Sequence, residues 1–158
     1  MHSGHAAAFR AVHERLGKMM TPVIVWKRPT PESPYPPEVI AEMVGSLGYD
    51  WLTPPLMAHD VNLPNIVDLC RRLGFEPVGL ACGSDRTRSY SQQAAKLVAG
   101  HYDAWVLESF RVHEVDDRAH GVTSTLIREA LASGDDRAFL ENVPEPLHRF
   151  LEELKRCR

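Results

Sequence analysis

Cysteine is scarce in this sequence. Three occur in 158 residues, Cys70, Cys82 and Cys157, odd in number and far apart. That excludes a disulfide framework and a cysteine-rich zinc site, and predicts reduced thiols in a cytoplasmic protein. Long apolar runs are also missing: no stretch of about 18 apolar residues exists, so neither a membrane span nor a membrane partner is expected. The opening MHSGHAAAF lacks the basic start and extended apolar stretch of a signal peptide. Positive charge is not in excess, since 18 Lys and Arg face 21 Asp and Glu, for a formal net charge of -3 and a pI near 6.2. A chain so balanced has no broad electrostatic footprint for nucleic acid. Internal repeats and low-complexity tracts are absent as well. What remains is a chain that is 44% hydrophobic, enough for one core and one domain over residues 1–158.

Helix and strand patterns alternate along that chain. Phe9, Val12 and Leu16 recur at the spacing of one helix face, predicting a helix over Ala6 to Lys18. Pro22 to Trp26 reads as a buried β-branched strand. KRPTPESPYPP follows, five prolines in eleven residues, an irregular loop ahead of a helix whose apolar face is Val39, Ile40, Met43, Val44 and Leu47. A weaker strand is expected within Trp51 to Met57. Asn62 reads as the N-cap of a helix carrying Leu63, Ile66, Val67, Cys70 and Leu73, with Gly74 as its stop. Val78 to Cys82 is expected as strand, GSDR as a loop, Tyr90 to Ala99 as helix and Ala104 to Phe110 as strand. Thr123 or Ser124 starts a further helix that Gly134 ends, and the tail from Pro146 to Lys155 is amphipathic. Strands separated by helices of this length predict an α/β fold, a Rossmann-like open parallel sheet with helices on both faces.

Three short motifs carry candidate chemistry. HSGH, residues 2 to 5, puts His2 and His5 at a helix start, where unpaired N–H groups and the helix dipole favour an anion, and Gly4 lets a phosphate approach. A frayed terminus reads the same way, and no acidic or cysteine neighbour supports a metal site there. GVTSTLIREAL offers Thr123, Ser124 and Thr125 at a helix start with Arg128 one turn in, a fit for a triphosphate or an ordinary cap beside a surface arginine. CGSDR follows a strand, where open α/β sheets bind ligands. There Gly83, Asp85 and Arg86 would meet a ribose or a phosphate, or form a polar turn with a solvated ion pair.

Taken together and in order, these motifs resemble the nucleotidyltransferase superfamily that carries HxGH and ISSTxIR. HSGH is similar to the first signature. VTSTLIR is similar to the second, with Val for Ile and Thr for the first Ser. GSDR resembles a loop found in several members, phage-encoded ones included. KRPTPESPYPPEVIAEM resembles the basic, proline-containing loop and following helix, with Ser33, Pro34 and Tyr35 at the places of Asn-Pro-Phe and Ala41 near the usual arginine. The family's first strand precedes HxGH, and HSGH stands at residues 2 to 5; a start placed too late, a fragment or a degenerate copy would each account for this, and a sheet without that strand is expected if the chain begins here.

The resemblance implies transfer of a nucleotidyl group from an NTP to a small phosphorylated acceptor, with release of pyrophosphate. His2, His5 and Arg128 would be the catalytic residues, with Gly4, Gly83, Asp85, Arg86, Thr123, Ser124 and Thr125 binding the nucleotide. Lys27 or Arg28 would hold the acceptor phosphate. Mg²⁺ would ride on the phosphates without a dedicated protein cage. The STLIR form resembles adenylyltransferases acting on nicotinamide mononucleotide or phosphopantetheine, and the RTEGISTS-like signature of cytidylyltransferases is missing, so ATP is expected over CTP. A nucleotide-binding module without turnover is the alternative from another class. An RNA-linked role is disfavoured because no KMSKS-like loop is present. A homo-oligomer is compatible with all of these. Trp51, Tyr90 and Trp105 would serve either as core or as platforms for a substrate ring.

Overall fold

A computed structural model describes residues 1–16, 23–26, 34–60, 62–100, 110–115 and 121–157. Their order is α1 (Ser3–Leu16), β1 (Ile24–Trp26), α2 (Pro37–Gly45), β2 (Leu56–Ala58), α3 (Leu63–Arg72), β3 (Gly79–Cys82), α4 (Ser84–Gly100), β4 (Arg111–Glu114), α5 (Ser124–Ser133), α6 (Asp136–Asn142), a 3-10 turn (Glu145–Phe150) and α7 (Leu151–Arg156). The fold is mixed α/β, with short strands in two-stranded sheets, β1 with β2 and β3 with β4. The chain divides into two compact units, residues 1–57 with 117–158 and residues 58–116. The expected strand over Ala104 to Phe110 falls outside the described residues except for Phe110, which precedes β4.

In the first unit the core joins both ends of the chain. Ala6 of α1 and Val39 and Met43 of α2 cluster with Ile127 and Leu131 of α5, Phe139 of α6 and Leu147, Phe150 and Leu154 of the tail. Met43, Phe139 and Leu147 are fully buried. A cross-link 139 residues long in sequence reinforces this: the Ser3 hydroxyl donates to the Asn142 carbonyl at 2.7 Å. Local chemistry sets the ends of α5. Thr123 caps it by accepting from the Leu126 N–H at 3.2 Å. Gly134 ends it at φ 72°, in the left-handed region where a side chain is penalised. The amphipathic tail is as expected, but its first half is a 3-10 turn because Pro144 and Pro146 start it. The sequence pattern did not suggest α6, a short helix of about two turns capped by Asp135.

In the second unit β3 and β4 run parallel, pairing Gly79 with Arg111 and Cys82 with Glu114. The α4 helix lies between them in sequence, which makes a βαβ unit. Asn62 caps α3, accepting from the Asn65 N–H at 3.0 Å. Past the helix end, Gly74 turns the chain at φ 82°. One expectation is corrected: Ser84, Asp85 and Arg86 are not loop but the first turn of α4, which begins six residues before Tyr90. Ser and Asp favour a helix start, and the polar run that follows hides the helical period.

Gly79 is where a side chain cannot fit. A Cβ built there would lie 2.6 Å from the Arg111 carbonyl oxygen and 3.3 Å from the His113 ring. Gly79→Ala is therefore expected to force β3 and β4 apart and to cost roughly 1–3 kcal/mol, as overpacking does. Urea unfolding of the variant checks this; a change under about 0.5 kcal/mol contradicts the close approach.

Candidate functional site

The helix start at HSGH is built mainly from its own groups. The His2 carbonyl accepts from the His5 and Ala6 N–H groups at 3.0 and 3.3 Å. The Gly4 N–H donates to His2 Nδ1 at 3.2 Å. His2 is thus the N-cap of α1, with its ring, 3% exposed, satisfying one of the orphan donors of the first turn. That bond uses the Nδ1 lone pair for the cap. The His5 ring lies 4.0 Å from the His2 ring, centroid to centroid. Its Nδ1 is buried without a hydrogen-bond partner. Burial first, and then the neighbouring His2, push the His5 imidazole down to about 3. In the free protein His5 is therefore a neutral donor at pH 7 rather than a cation.

The start of α5 is different in kind, because its groups face outward. Thr123, Ser124 and Thr125 are all exposed. The capping bond uses the Leu126 N–H, so the N–H groups of Ser124 and Thr125, which precede it, have no intrahelical acceptor to reach. Arg128 folds back over this turn, donating from Nη2 to Thr125 Oγ1 at 3.1 Å. A guanidinium, two further hydroxyls and open N–H groups therefore share one helix tip. Helix α5 belongs to the same unit as α1, and Ala6, Ile127 and Leu131 share one core cluster.

Gly83, Asp85 and Arg86 lie in the second unit. The Gly83 carbonyl accepts from the Arg86 N–H at 3.0 Å and from the Thr87 hydroxyl at 3.2 Å, so it serves as a helix start. Asp85 and Arg86 form an ion pair at 3.7 Å with both side chains about 60% exposed, a solvated pair of small energetic weight. Arg86 also lines a cavity of about 230 Å³ with Asp60, Asn62, Ser89, Tyr90 and Gln93. Four of those, Asp60, Asn62, Ser89 and Gln93, carried no functional signal in the sequence, because the cavity joins a loop before α3 to a face of α4 some thirty residues on.

Lys27, Arg28 and Trp105 lie outside the described residues. Trp51 is half-buried, with His13 stacked on it at 4.3 Å and Tyr49 at 5.0 Å. Two protein rings thus already stack on it, and the core reading suits it better than the platform reading. Tyr35, at the place of the family's Phe, packs against the first unit's core with its hydroxyl buried and without a partner. Among the described residues no group of three or more His, Cys, Asp or Glu could hold a metal ion, and no helix is long and apolar enough to cross a membrane.

The chain matches no family model, no curated protein and no solved structure.

The buried His5 has a consequence for acid stability. Its folded pKa is depressed below the ordinary 6.5, so the unfolded chain binds a proton that the folded chain refuses. This contribution to stability is fully present above pH 6.5 and is lost as pH falls from there towards 3, at about 1.4 kcal/mol per pH unit. Between pH 7 and 4.5, His5→Gln should therefore lose roughly 2–3 kcal/mol less stability than the parent chain does. Chemical denaturation at the two pH values measures it; parallel losses in both proteins contradict a neutral buried His5.

Proposed function

We propose that this chain is a nucleotidyltransferase that moves an adenylyl group from ATP to a small phosphorylated acceptor. An oxygen of the acceptor phosphate attacks the α-phosphorus, the bond from that phosphorus to the bridging oxygen breaks, and pyrophosphate leaves with the electron pair. Such a step asks the protein mainly for positioning and for neutralisation of charge on phosphoryl oxygens. The observation that carries the reading is the tip of α5, where Arg128 is held against Thr125 beside exposed hydroxyls and open N–H groups. That tip would take the β- and γ-phosphates through Thr123, Ser124, Thr125 and Arg128. His2 and His5 would donate to the α-phosphate, a phosphate oxygen replacing His2 Nδ1 as the acceptor for the Gly4 N–H. Lys27 or Arg28 would hold the acceptor phosphate, and Asp85 and Arg86 would meet nucleotide or acceptor in their own unit.

In this reading the β3–α4–β4 unit is part of a Rossmann-like sheet. Mg²⁺ would arrive on the triphosphate and offset its charge there. ATP is preferred over CTP on the STLIR form of the second motif. A second reading, a nucleotide-binding module without turnover, draws on the state of the imidazoles, since His2 is committed to a cap and His5 is neutral.

Pyrophosphate release from ATP and Mg²⁺ with a panel of phosphorylated acceptors, repeated with CTP, tests both. Adenylylated product from one acceptor, with kcat/KM lowered about a hundredfold or more in Arg128→Gln at an unchanged melting temperature, is the expected outcome. ATP binding with no product from any acceptor favours the module, and no ATP binding at all ends both readings.

A further inference from the structure

Apart from Arg86, the second unit carries a polar lining that adenylyl transfer does not account for. Its cavity of about 230 Å³ is lined by Asp60, Asn62, Arg86, Ser89, Tyr90 and Gln93, all within residues 58–116. It falls below the roughly 300–1,000 Å³ of drug-sized sites, and a molecule the size of a pentose with one charged group suits it.

The wall chemistry narrows the class. Each of its acceptors already takes at least one protein donor, and Asp60 keeps capacity for another. Asp60 Oδ1 takes the Asn62 N–H at 2.9 Å, and Oδ2 takes the Asn62 and Asn65 side-chain amides at 2.6 and 3.3 Å. Asn62 Oδ1 takes the Asn65 N–H, and Gln93 Oε1 takes the Leu63 N–H at 2.8 Å. The cavity is therefore not a bare helix N-terminus, because the first turn of α3 is already capped by Asn62 and Gln93. Donors dominate what remains: the Arg86 guanidinium, with N–H groups beyond its long contact to Asp85 and its bond to the Tyr90 hydroxyl, the Ser89 hydroxyl, and the second proton of the Gln93 amide, whose first goes to Ser89 at 3.3 Å. One cation suits one oxyanion, and a guanidinium fork suits phosphate. The anionic Asp60 opposes a second negative group but has lone pairs left for a donor. A hydroxyl both donates to Asp60 and accepts from the amides and Ser89, whereas an ammonium only donates and would meet those N–H groups head on. Tyr90, 9% exposed, closes the cavity from the core side.

We infer that this cavity binds a small phosphorylated polyol, its phosphate on Arg86 and Ser89 and its hydroxyls on Asp60, Asn62 and Gln93. The inference rests on the preceding reading only in taking Arg86 as a ligand-facing cation. It needs neither ATP nor any residue of the first unit.

Calorimetric titration of the full chain without ATP, using ribose 5-phosphate, inorganic phosphate, ribose and citrate in separate arms, tests it. Ribose 5-phosphate should bind at least about tenfold more tightly than the other three, and Arg86→Gln should weaken it about tenfold or more, the worth of one charge-assisted contact. Asp60→Asn should narrow the preference for ribose 5-phosphate over inorganic phosphate, while Arg72→Gln, on α3 outside the lining, should change nothing. Ser89→Ala, on the exposed face of α4, gives the same direction of loss should Arg86→Gln fail to fold. Equal affinity for ribose 5-phosphate and inorganic phosphate, tighter binding of citrate, or full binding by a folded Arg86→Gln variant overturns the assignment. Because ATP is absent from every arm, failure here leaves adenylyl transfer standing, and failure of adenylyl transfer leaves this site standing.

Discussion

The first unit depends on burying apolar surface contributed by segments more than a hundred residues apart. Neither α1 nor α5 is long enough to be stable in water by itself, since isolated helices under about 12–15 residues are marginal. Each is held by what it covers: Ala6 from the front of the chain and Ile127 and Leu131 from the back enter the same cluster as Phe139 and Leu147. The Ser3 bond to Asn142 adds a polar tie across the same gap. Of the groups proposed to bind phosphate in the first unit, His5, Ser124, Thr125 and Arg128 sit on helices packed onto this core, and a joint site there would depend on that burial.

The two helix starts contribute in opposite ways. At α1 the orphan donors are spent internally on His2, and burial keeps His5 neutral. At α5 the cap uses only the Leu126 N–H, and Arg128 is already drawn over the hydroxyls. A ligand would bind α5 with little rearrangement but would have to displace the His2 bond to use α1. That difference in preorganisation separates an enzyme from a binding module on this scaffold: binding needs α5 alone, whereas turnover needs both starts to grip one triphosphate.

Local signals in the sequence proved readable where one residue's own chemistry decides the outcome. Asn62 and Thr123 as caps, and Gly74 and Gly134 as stops at positive φ, follow from side-chain oxygens and from the missing Cβ. The start of α4 is hidden in the sequence because Thr87, Arg88 and Ser89 interrupt its apolar period. Likewise α6 went unseen because only Phe139 in its seven residues is fully buried. In β4 the charged ends, Arg111 and Glu114, lie exposed and masked a strand whose centre is half-buried. His2 as a cap was not foreseen, since caps are ordinarily oxygen acceptors and an imidazole serves only when a lone pair faces the turn. The cavity of the second unit was illegible for a different reason: its polar lining comes from two separate stretches with no shared spacing, and only packing brings Asp60 to the side of Tyr90.

The central claim is that both helix starts of the first unit hold one triphosphate. Titrating the chain with ATP and Mg²⁺, and following the ring signals of His2 and His5 together with the backbone amides of Ser124 and Thr125 by NMR, tests it most directly. The account predicts that all four move along one binding curve with a single Kd. Movement of the α5 amides alone, with the imidazoles unchanged at saturation, would contradict it.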